Sequence, residues 1–413
     1  MEKVYDKCCG VDVHKKVIVA CFRQGEKKEI REFGATTREL LELAEWLKEG
    51  GCEKVAMEST ASYWKPLYNI LESTGLSAMV VNAQHMKAVP GRKTDATDAE
   101  WITDLLQHGL LRASYIPEKS QRELRELVGY RKSLIKEQAA ELNRLQKILE
   151  GANIKLSGTI KDINGKSGRS LLELLMTGKK IDMAAIMELR KGKMIANNLK
   201  ATDEQLVEDL NGYLTQMQKK MMRTMLEHID ELAGHIKELD DEIDKNMKEE
   251  QKEAAAKIQE VPGIGNTSAQ AVISVIGTDM ERFPTEKHIS SWAGLCPGNN
   301  ESAGKRHSGK TRKGNALLRT TLIVCAHSAV RNKATYFYAQ FKRLSAHRGK
   351  KRAFVAVAHS MLTAIYHILK DGKPFYDLGA EYYNQFNQEQ KIQACLKHLK
   401  ALGWQPPAIG QPG

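Results

Sequence analysis

Residues 3 to 33 run apolar or alternate in short pieces broken by turn residues, with Val17-Ile18-Val19-Ala20-Cys21-Phe22 the clearest piece and Gly25 the break before Ile30 to Phe33. Three strands in a meander is the simplest reading. Then the period changes. Thr36-Thr37-Arg38-Glu39 reads as a cap leading into a helix over Leu40 to Lys48, and Lys54 to Met57 as a fourth strand. A helix from Trp64 to Glu72, a strand at Ala78 to Asn82 and a helix from Thr94 to Gln107 complete the unit. Strands followed by alternating helix and strand indicate an α/β domain with a mixed sheet.

Four carboxylates stand at telling positions in that pattern. Asp12 lies on the first strand, Glu58 ends the fourth, and Asp95 and Asp98 open the last helix. Residues i and i+3 share a helix face, and strand ends converge at one edge of a sheet, so the four acids can meet. Clustered carboxylates repel unless a cation sits between them, and hard oxygen donors suit Mg²⁺, with Mn²⁺ as substitute. The chemistry this suggests is phosphoryl transfer on nucleic acid. A lone Asp on a strand is usually a solvated edge residue, and Asp-x-x-Asp at a helix start often only favours the helix dipole. The case rests on the combination of Asp12, Glu58 and Lys93-Thr94-Asp95-Ala96-Thr97-Asp98.

Charge points to the same partner. The 413 residues carry 63 Lys+Arg against 51 Asp+Glu, a formal net charge of +12, and a basic chain favours a polyanion. With 42% hydrophobic residues the chain can build the cores of two or three domains. Seven cysteines, odd in number and without a CxxC pair, read as reduced, mostly buried thiols. No charged-then-apolar leader and no apolar run near the ~20 residues of a membrane span is visible, so a soluble, cytoplasmic protein is expected. His14, His85, His288 and His307 show no metal-ligand spacing.

From Glu118 to about Glu150 a long helix is expected, carrying Arg122, Arg125, Arg131, Lys132, Lys136, Arg144 and Lys147 among its apolar positions. Such a basic helix supports nucleic-acid binding, although it also fits an ordinary solvated face. Met222, Met225, Ile229, Leu232, Ile236, Leu239 and Ile243 form a heptad seam, the mark of coiled-coil pairing within the chain or between protomers. Ser157 to Lys200 reads as a helical insertion, and the acidic stretch from Leu239 to Glu253 as a boundary.

Beyond it, a helix ending at Val261, the turn Pro262-Gly263-Ile264-Gly265 and an apolar helix from Thr267 to Ile276 have the pattern of a helix-hairpin-helix. Gly263 and Gly265 would let backbone N–H groups approach a DNA phosphate, although any tight helical hairpin uses Pro and Gly. The loop Gly298-Asn299-Asn300-Glu301-Ser302-Ala303-Gly304-Lys305 then leads into Arg306, Lys310, Arg312, Lys313 and Arg319. A serine flanked by cations is well placed to meet a phosphodiester.

These residues resemble the DEDD transposases of bacterial insertion sequences, the insertion-sequence 110 family of bridge-RNA-guided recombinases. The resemblance rests on Gly10-Val11-Asp12-Val13-His14-Lys15, Met57-Glu58-Ser59-Thr60-Ala61-Ser62-Tyr63-Trp64 and Lys93-Thr94-Asp95-Ala96-Thr97-Asp98-Ala99. It continues through Val261-Pro262-Gly263-Ile264-Gly265, Ala293-Gly294-Leu295-Cys296-Pro297, Glu301-Ser302-Ala303-Gly304-Lys305 and Lys313-Gly314-Asn315-Ala316-Leu317-Leu318-Arg319. The resemblance implies an RNase H/RuvC-like N-terminal domain (1–117) whose Asp12, Glu58, Asp95 and Asp98 bind Mg²⁺. It further implies a mostly α transposase domain (251–375) with Ser302 as nucleophile; the heptad seam marks the region between as helical and coiled-coil (118–250), and the tail (376–413) matches nothing in the family. Where the family's loop often has glycine after the serine, Ala303 stands here, and Ser308 is the alternative nucleophile. Donor and target DNA, a guide RNA and a homodimer or synaptic tetramer are the implied partners, in a bacterial cytoplasm at the nucleoid. Two rival readings remain from the residues alone: a RuvC-like junction-resolving endonuclease using the acids only, and a catalytically silent nucleic-acid-binding protein.

Overall fold

The computed structural model describes residues 3–404 except 60, 83–97, 180, 197, 198, 200, 299, 303, 304, 312, 386 and 387. The chain divides after Glu118 into two compact units.

The first unit is a five-stranded sheet built from β1 (Lys7–Val13), β2 (Val17–Gln24), β3 (Lys27–Gly34), β4 (Lys54–Glu58) and β5 (Ala78–Val81), in the order β3-β2-β1-β4-β5. The first three strands form the expected antiparallel meander, whereas β4 joins β1 and β5 joins β4 in parallel. Parallel neighbours need crossovers, which α1 (Thr37–Glu49) and α2 (Trp64–Ser73) supply. The cap forms as read: Glu39 N donates to Thr36 Oγ1, and the Glu39 carboxylate accepts from Thr36 Oγ1 at 2.6 Å and from Gly34 N at 2.9 Å.

Strand alternation divides the sheet's side chains between two faces. Cys9, Val11, Val13, Val55 and Met57 pack with Leu40, Leu43 and Leu47 of α1 and Leu67 and Leu71 of α2. Cys8, Ala56, Met79 and Val81 take the opposite face, under Ile102 and Leu106 of α3 (Asp98–Gln107). Gly10 makes that second layer possible. A Cβ there would stand 2.4 Å from Thr103 N and 2.5 Å from Ala99 O, so only glycine lets α3 lie directly on β1.

Among the described residues the second unit is helical apart from one small hairpin. α4 (Lys119–Gly151) is followed by α5 (Leu156–Thr159), α6 (Lys166–Thr177), α7 (Met183–Lys191), α8 (Asp203–Asp209) and α9 (Gln216–Asn246). Then come α10 (Glu249–Ile258), α11 (Asn266–Ile276), α12 (Glu286–Trp292), β6 (Asn300–Ser302), β7 (Lys305–Ser308), α13 (Ala316–Ala329), α14 (Tyr336–Arg348), α15 (Lys350–Asp371), α16 (Tyr382–Gln385) and α17 (Gln388–Ala401). α4 and α9, each roughly 45–50 Å long at 1.5 Å per residue, pair along their length and carry a separate core at each end. One core joins Leu145 and Leu149 of α4 to Met222, Leu226 and Ile229 of α9 and to α5–α8, so the helical insertion expected over Ser157 to Lys200 extends through α8 to Asp209. The other joins Leu124 and Val128 to Ile243, Met247 and α10–α15.

The heptad seam thus meets α4 of the same chain, with Leu226 buried as well, while Met225, Ile236 and Leu239 are only partly covered. The acidic stretch is not a boundary. Ile243, Met247 and Ala254 share one core across it, and its acids Asp241, Glu242, Asp244 and Glu253 are simply its exposed face. The middle and C-terminal segments expected as separate domains therefore form one unit. Segment 376–385 also belongs to it: Asp377 accepts from Tyr336 N at 2.8 Å, and Tyr383 shares a hydroxyl hydrogen bond with Tyr336.

Among the described residues one helix, α15, is long and apolar enough to cross a membrane, against the expectation that no apolar run comes near that length. Its apolar character has a structural cause. Val357, Ala358, Met361, Leu362 and Ile365 are fully buried, because α15 runs through the centre of its core with helices on several sides. All seven cysteines are free thiols; Cys8, Cys9, Cys21, Cys52 and Cys325 are buried, Cys296 is half-buried and Cys395 exposed.

Candidate carboxylate edge and serine hairpin

Cys8 of β1 pairs with Lys54 of β4 and Val11 with Met57, and the same register carried one step further sets Asp12 beside Glu58. Both residues belong to the face that α3 covers, since they alternate with Val11, Val13 and Met57 on the other. α3 runs antiparallel to β1: Gln107 O at its C-terminal end accepts from Val4 N at 2.7 Å, while Ala99 and Thr103 lie over Gly10. Its N-terminal residue, Asp98, is therefore carried to the end of β1 where Asp12 stands. Register and the Gly10 contact thus place Asp12 and Glu58 side by side on one face, with Asp98 on the helix that covers that face.

The Asp12 side chain is 16% exposed and lies 3.0 Å from His14 Nε2, whose ring is 63% exposed. Glu58 is half-buried and Asp98 exposed. Asp95 lies outside the described residues, as does the rest of Lys93 to Thr97. Among the described residues no group of three or more His, Cys, Asp or Glu side chains is close enough to hold a metal ion by itself. The donor chemistry of the edge is nevertheless that of a hard cation, two neighbouring carboxylates with a third on the helix above them. The buried thiols at the other end of these strands offer no ligand either. Burial pushes Cys8 and Cys52 up to about 12 and Cys9 well above its ordinary value, so none offers a thiolate at neutral pH.

Ser302 sits in the second unit, in the last ladder pair of the β6–β7 hairpin, opposite Lys305. Asn300 pairs with Ser308 at the other end, with an irregularity between Asn300 and Glu301. The ladder continues toward the helices through Gly298 N donating to Lys310 O at 2.9 Å and a bridge between Pro297 and Thr311. The hairpin thus presents Ser302 at its far end and Ser308 nearer its root. Arg306 is on β7 with Lys305, Lys313 is exposed, and Arg312 lies outside the described residues.

Several expected cations have work inside the fold. Arg319 donates from Nη1 to Gly294 O at 2.6 Å, tying α13 to the turn after α12. Arg131 is 1% exposed and reaches Asp240 at 2.5 Å, Gln270 Oε1 at 2.7 Å and Thr267 O at 3.1 Å. Arg125 donates to the carbonyls of Ser274 and Val275 at the end of α11, which cations there favour. Lys132 bonds Leu317 O at 3.3 Å, and burial lowers its pKa. The basic stripe of α4 is therefore in good part a set of interhelical ties rather than a free phosphate-binding face.

The glycine turn divides likewise. Gly263 has φ +89°, and a Cβ on it would meet Cys325 O at 2.5 Å, so this glycine is required by packing against α13. Gly265, the residue before α11, has open space around it and is followed by exposed Asn266 and Thr267.

At the root of the hairpin, Pro297, Gly309, Lys310 and Thr311 form one wall of a cleft of about 940 Å³, closed by Leu295, Arg319, Gln340 and the α15 residues Lys351, Arg352, Val355, Ala356, His359 and Ser360. Of these, the sequence singles out Lys310 and Arg319 as cations and Leu295 and Pro297 within a family motif. The remaining signal was the run Lys350-Lys351-Arg352 opening an otherwise apolar helix.

Two family models match the chain. Residues 9–154 match the DEDD model of the IS110 transposases, described as Transposase, and residues 255–342 match Transposase IS116/IS110/IS902 family. Among curated proteins, the pilin gene-inverting protein of Moraxella lacunata is 29% identical over 118 residues, 28% of this chain and 36% of that protein. A putative transposase y4pF/y4sB of Sinorhizobium fredii is 23% identical over 314 residues, 74% of this chain and 70% of that protein. The insertion element IS110 uncharacterized 43.6 kDa protein of Streptomyces coelicolor is 27% identical over 124 residues, 29% of each. The match to the pilin gene-inverting protein spans about a third of its length. The first model takes in Asp12, Glu58, Asp95 and Asp98 and the second takes in Gly263, Gly265 and Ser302, and with both in chain order this chain belongs to the IS110 family of transposases.

Proposed function

We propose that this protein cuts and rejoins DNA strands through a phosphoserine at Ser302, assisted by Mg²⁺ held by Asp12, Glu58 and Asp98 together with Asp95, and directed by a guide RNA. The observation that carries the reading is the register that sets Asp12 beside Glu58 under the helix bearing Asp98. The strand order β3-β2-β1-β4-β5 with its antiparallel first half supports an RNase H/RuvC-like domain. A relative named for inverting a gene supports strand exchange as the outcome.

The chain's own residues divide the chemistry. The Ser302 oxygen forms a bond to phosphorus as the bond from phosphorus to the DNA 3′-oxygen breaks, and the proton lost by serine balances the one gained by the leaving 3′-hydroxyl. The ester so formed keeps the bond energy, so a 3′-hydroxyl of another strand can reverse the step and no ATP is needed. When bound, Mg²⁺ would stabilise charge building on the phosphate oxygens. Lys305, Arg306, Lys310 and Lys313 neutralise the strand's backbone, and the exposed N–H groups after Gly265 offer a sequence-independent phosphate contact of the helix-hairpin-helix kind. A net charge of +12 supports binding of a guide RNA as well. Assembly of protomers into a dimer or synaptic tetramer belongs to the same reading.

Incubating the full chain with end-labelled DNA and Mg²⁺, then denaturing, tests it. A protein–DNA adduct that requires Mg²⁺ and is absent in Ser302→Ala is expected. Free nicked products without an adduct would favour the resolvase reading, and unchanged DNA the silent one. RNA that copurifies with the protein, lost to RNase but not to DNase, is the expected sign of the guide.

A further inference from the structure

We propose that the cleft at the root of the serine hairpin receives one unpaired nucleotide of the DNA strand on which Ser302 acts, its base against Gln340 and its phosphate against Lys351 and Arg352. This rests on the serine reading for the identity of the strand, while the pocket itself stands on its own geometry.

Gln340 is 9% exposed and lines the cleft. Its Nε2 donates to Ser360 Oγ at 2.8 Å, but its Oε1 is buried without a hydrogen-bond partner. Buried amide oxygens are rarely left so, and an incoming donor would complete the site. Nucleobases carry amino or ring N–H donors on the edge that is free when they are unpaired. His359 lies beside Ser360 on the same wall, and burial lowers its pKa, so a neutral ring faces the cleft and can act as donor or acceptor. Val355, Ala356, Leu295 and Pro297 supply apolar surface for the base plane. A volume of about 940 Å³ fits a ligand of nucleotide size with room for its neighbours.

The phosphate side is independent of the amide. The first turn of α15 holds basic residues and no acidic one. Cations at the positive end of a helix are unfavourable unless an anion compensates. Lys351 and Arg352 are exposed at the cleft, where a phosphate would do so. A strand is favoured over a free nucleotide because the cleft opens at the hairpin root. Ser302 lies in the pair at the other end of the same hairpin from the Pro297–Thr311 bridge, so a strand that reaches the serine passes the cleft at the root.

Fluorescence anisotropy with the full chain in the Ser302→Ala background, which separates binding from chemistry, tests the assignment. The probes are a labelled single-stranded DNA, the same strand with an abasic position walked along it, the matching RNA, and a labelled mononucleotide. Gln340→Leu should weaken the intact DNA about tenfold, as expected for one polar contact to a base. It should leave unchanged the strand that is abasic at one position. Lys351→Gln with Arg352→Gln should lower the salt dependence of DNA binding by about 1.4 in log–log slope, two contacts at ~0.7 each on a single strand. Thermal melting checks that both proteins fold, and the exposed Lys351/Arg352 pair serves if Gln340→Leu does not. Parental binding by the Lys351/Arg352 variant, equal losses by Gln340→Leu on every abasic strand, or a tenfold effect confined to RNA or the mononucleotide would each overturn the proposal. Adduct formation by the parent is scored separately, so the serine reading can fail while the pocket stands, or the reverse.

Discussion

The two units carry their candidate chemistry in opposite ways. Asp12 and Glu58 hang on adjacent strands in the middle of a five-stranded sheet, where one parallel register fixes both. Ser302 ends a three-residue strand paired only with the four residues of β7, attached to a helical body through its root. A carboxylate set has to hold a fixed spacing, and a sheet interior does that. A nucleophile has to reach a strand and be released from it, and a short hairpin permits this at the cost of a weaker framework.

If that contrast holds, changes to the chemistry should be severe in both units while changes to the framework should differ. The largest effect is expected for Ser302→Ala, which should reduce strand exchange by roughly 10³-fold or more while binding of DNA persists; quantifying recombinant product on plasmid substrates measures it. Asp12→Asn and Glu58→Gln should each cut Mg²⁺-dependent exchange heavily yet leave the melting temperature without metal unchanged or higher, because each removes one of two neighbouring negative charges. A collapse on heating would make the two acids structural instead.

Framework changes come next. Arg131→Ala should destabilise the second unit by about 3 kcal/mol, since it leaves Gln270 and the Thr267 carbonyl unpaired inside the structure, as urea unfolding would show. Gly10→Ala should cost the first unit about 2 kcal/mol by forcing α3 away from β1, and because α3 carries Asp98 it should lower metal-dependent activity too. Gly263→Ala should cost a similar amount and Gly265→Ala only a few tenths, which separates the packing glycine from the one facing open space. If Gly265→Ala instead weakens DNA binding strongly without altering stability, the helix-hairpin-helix contact gains direct support.

The smallest effect concerns thiols. Alkylation near pH 8 should reach exposed Cys395 first and leave Cys8 and Cys52 untouched until unfolding. Their pKa of about 12 keeps them protonated in the fold, and labelling rises with pH only as that value is approached.

Much of the first unit was legible because strand and helix periods are local. The meander, the Thr36 cap and the placement of Glu58 at a strand end follow from neighbours in sequence, and the motif around Asp12 marks the strand end that the register sets beside Glu58. Cations on α4 were harder. Arg131 and Lys136 look alike in a helical pattern, and only the arrival of α9 and α11 makes Arg131 a buried tie. The acidic stretch after Leu239 misled for the same reason, because composition records the exposed face while Ile243 and Met247 carry the continuity of the core. The cleft at the hairpin root was invisible beforehand. Its wall is assembled from Leu295, Lys310, Gln340 and Lys351 to Ser360, which no local period connects.

The central claim is that Ser302 becomes bonded to DNA, and mapping the covalent site tests it most directly. A complex trapped with Mg²⁺ and a substrate that cannot religate would be digested with trypsin and nuclease, and the residual nucleotide located by fragmentation mass spectrometry. The tryptic peptide from His288 to Lys305 contains Ser290, Ser291 and Ser302, whereas Ser308 falls beyond Lys305 and Arg306. The account predicts the nucleotide on Ser302 and no adduct in Ser302→Ala. An adduct on Ser308, or normal recombination by Ser302→Ala with no adduct anywhere, would contradict it.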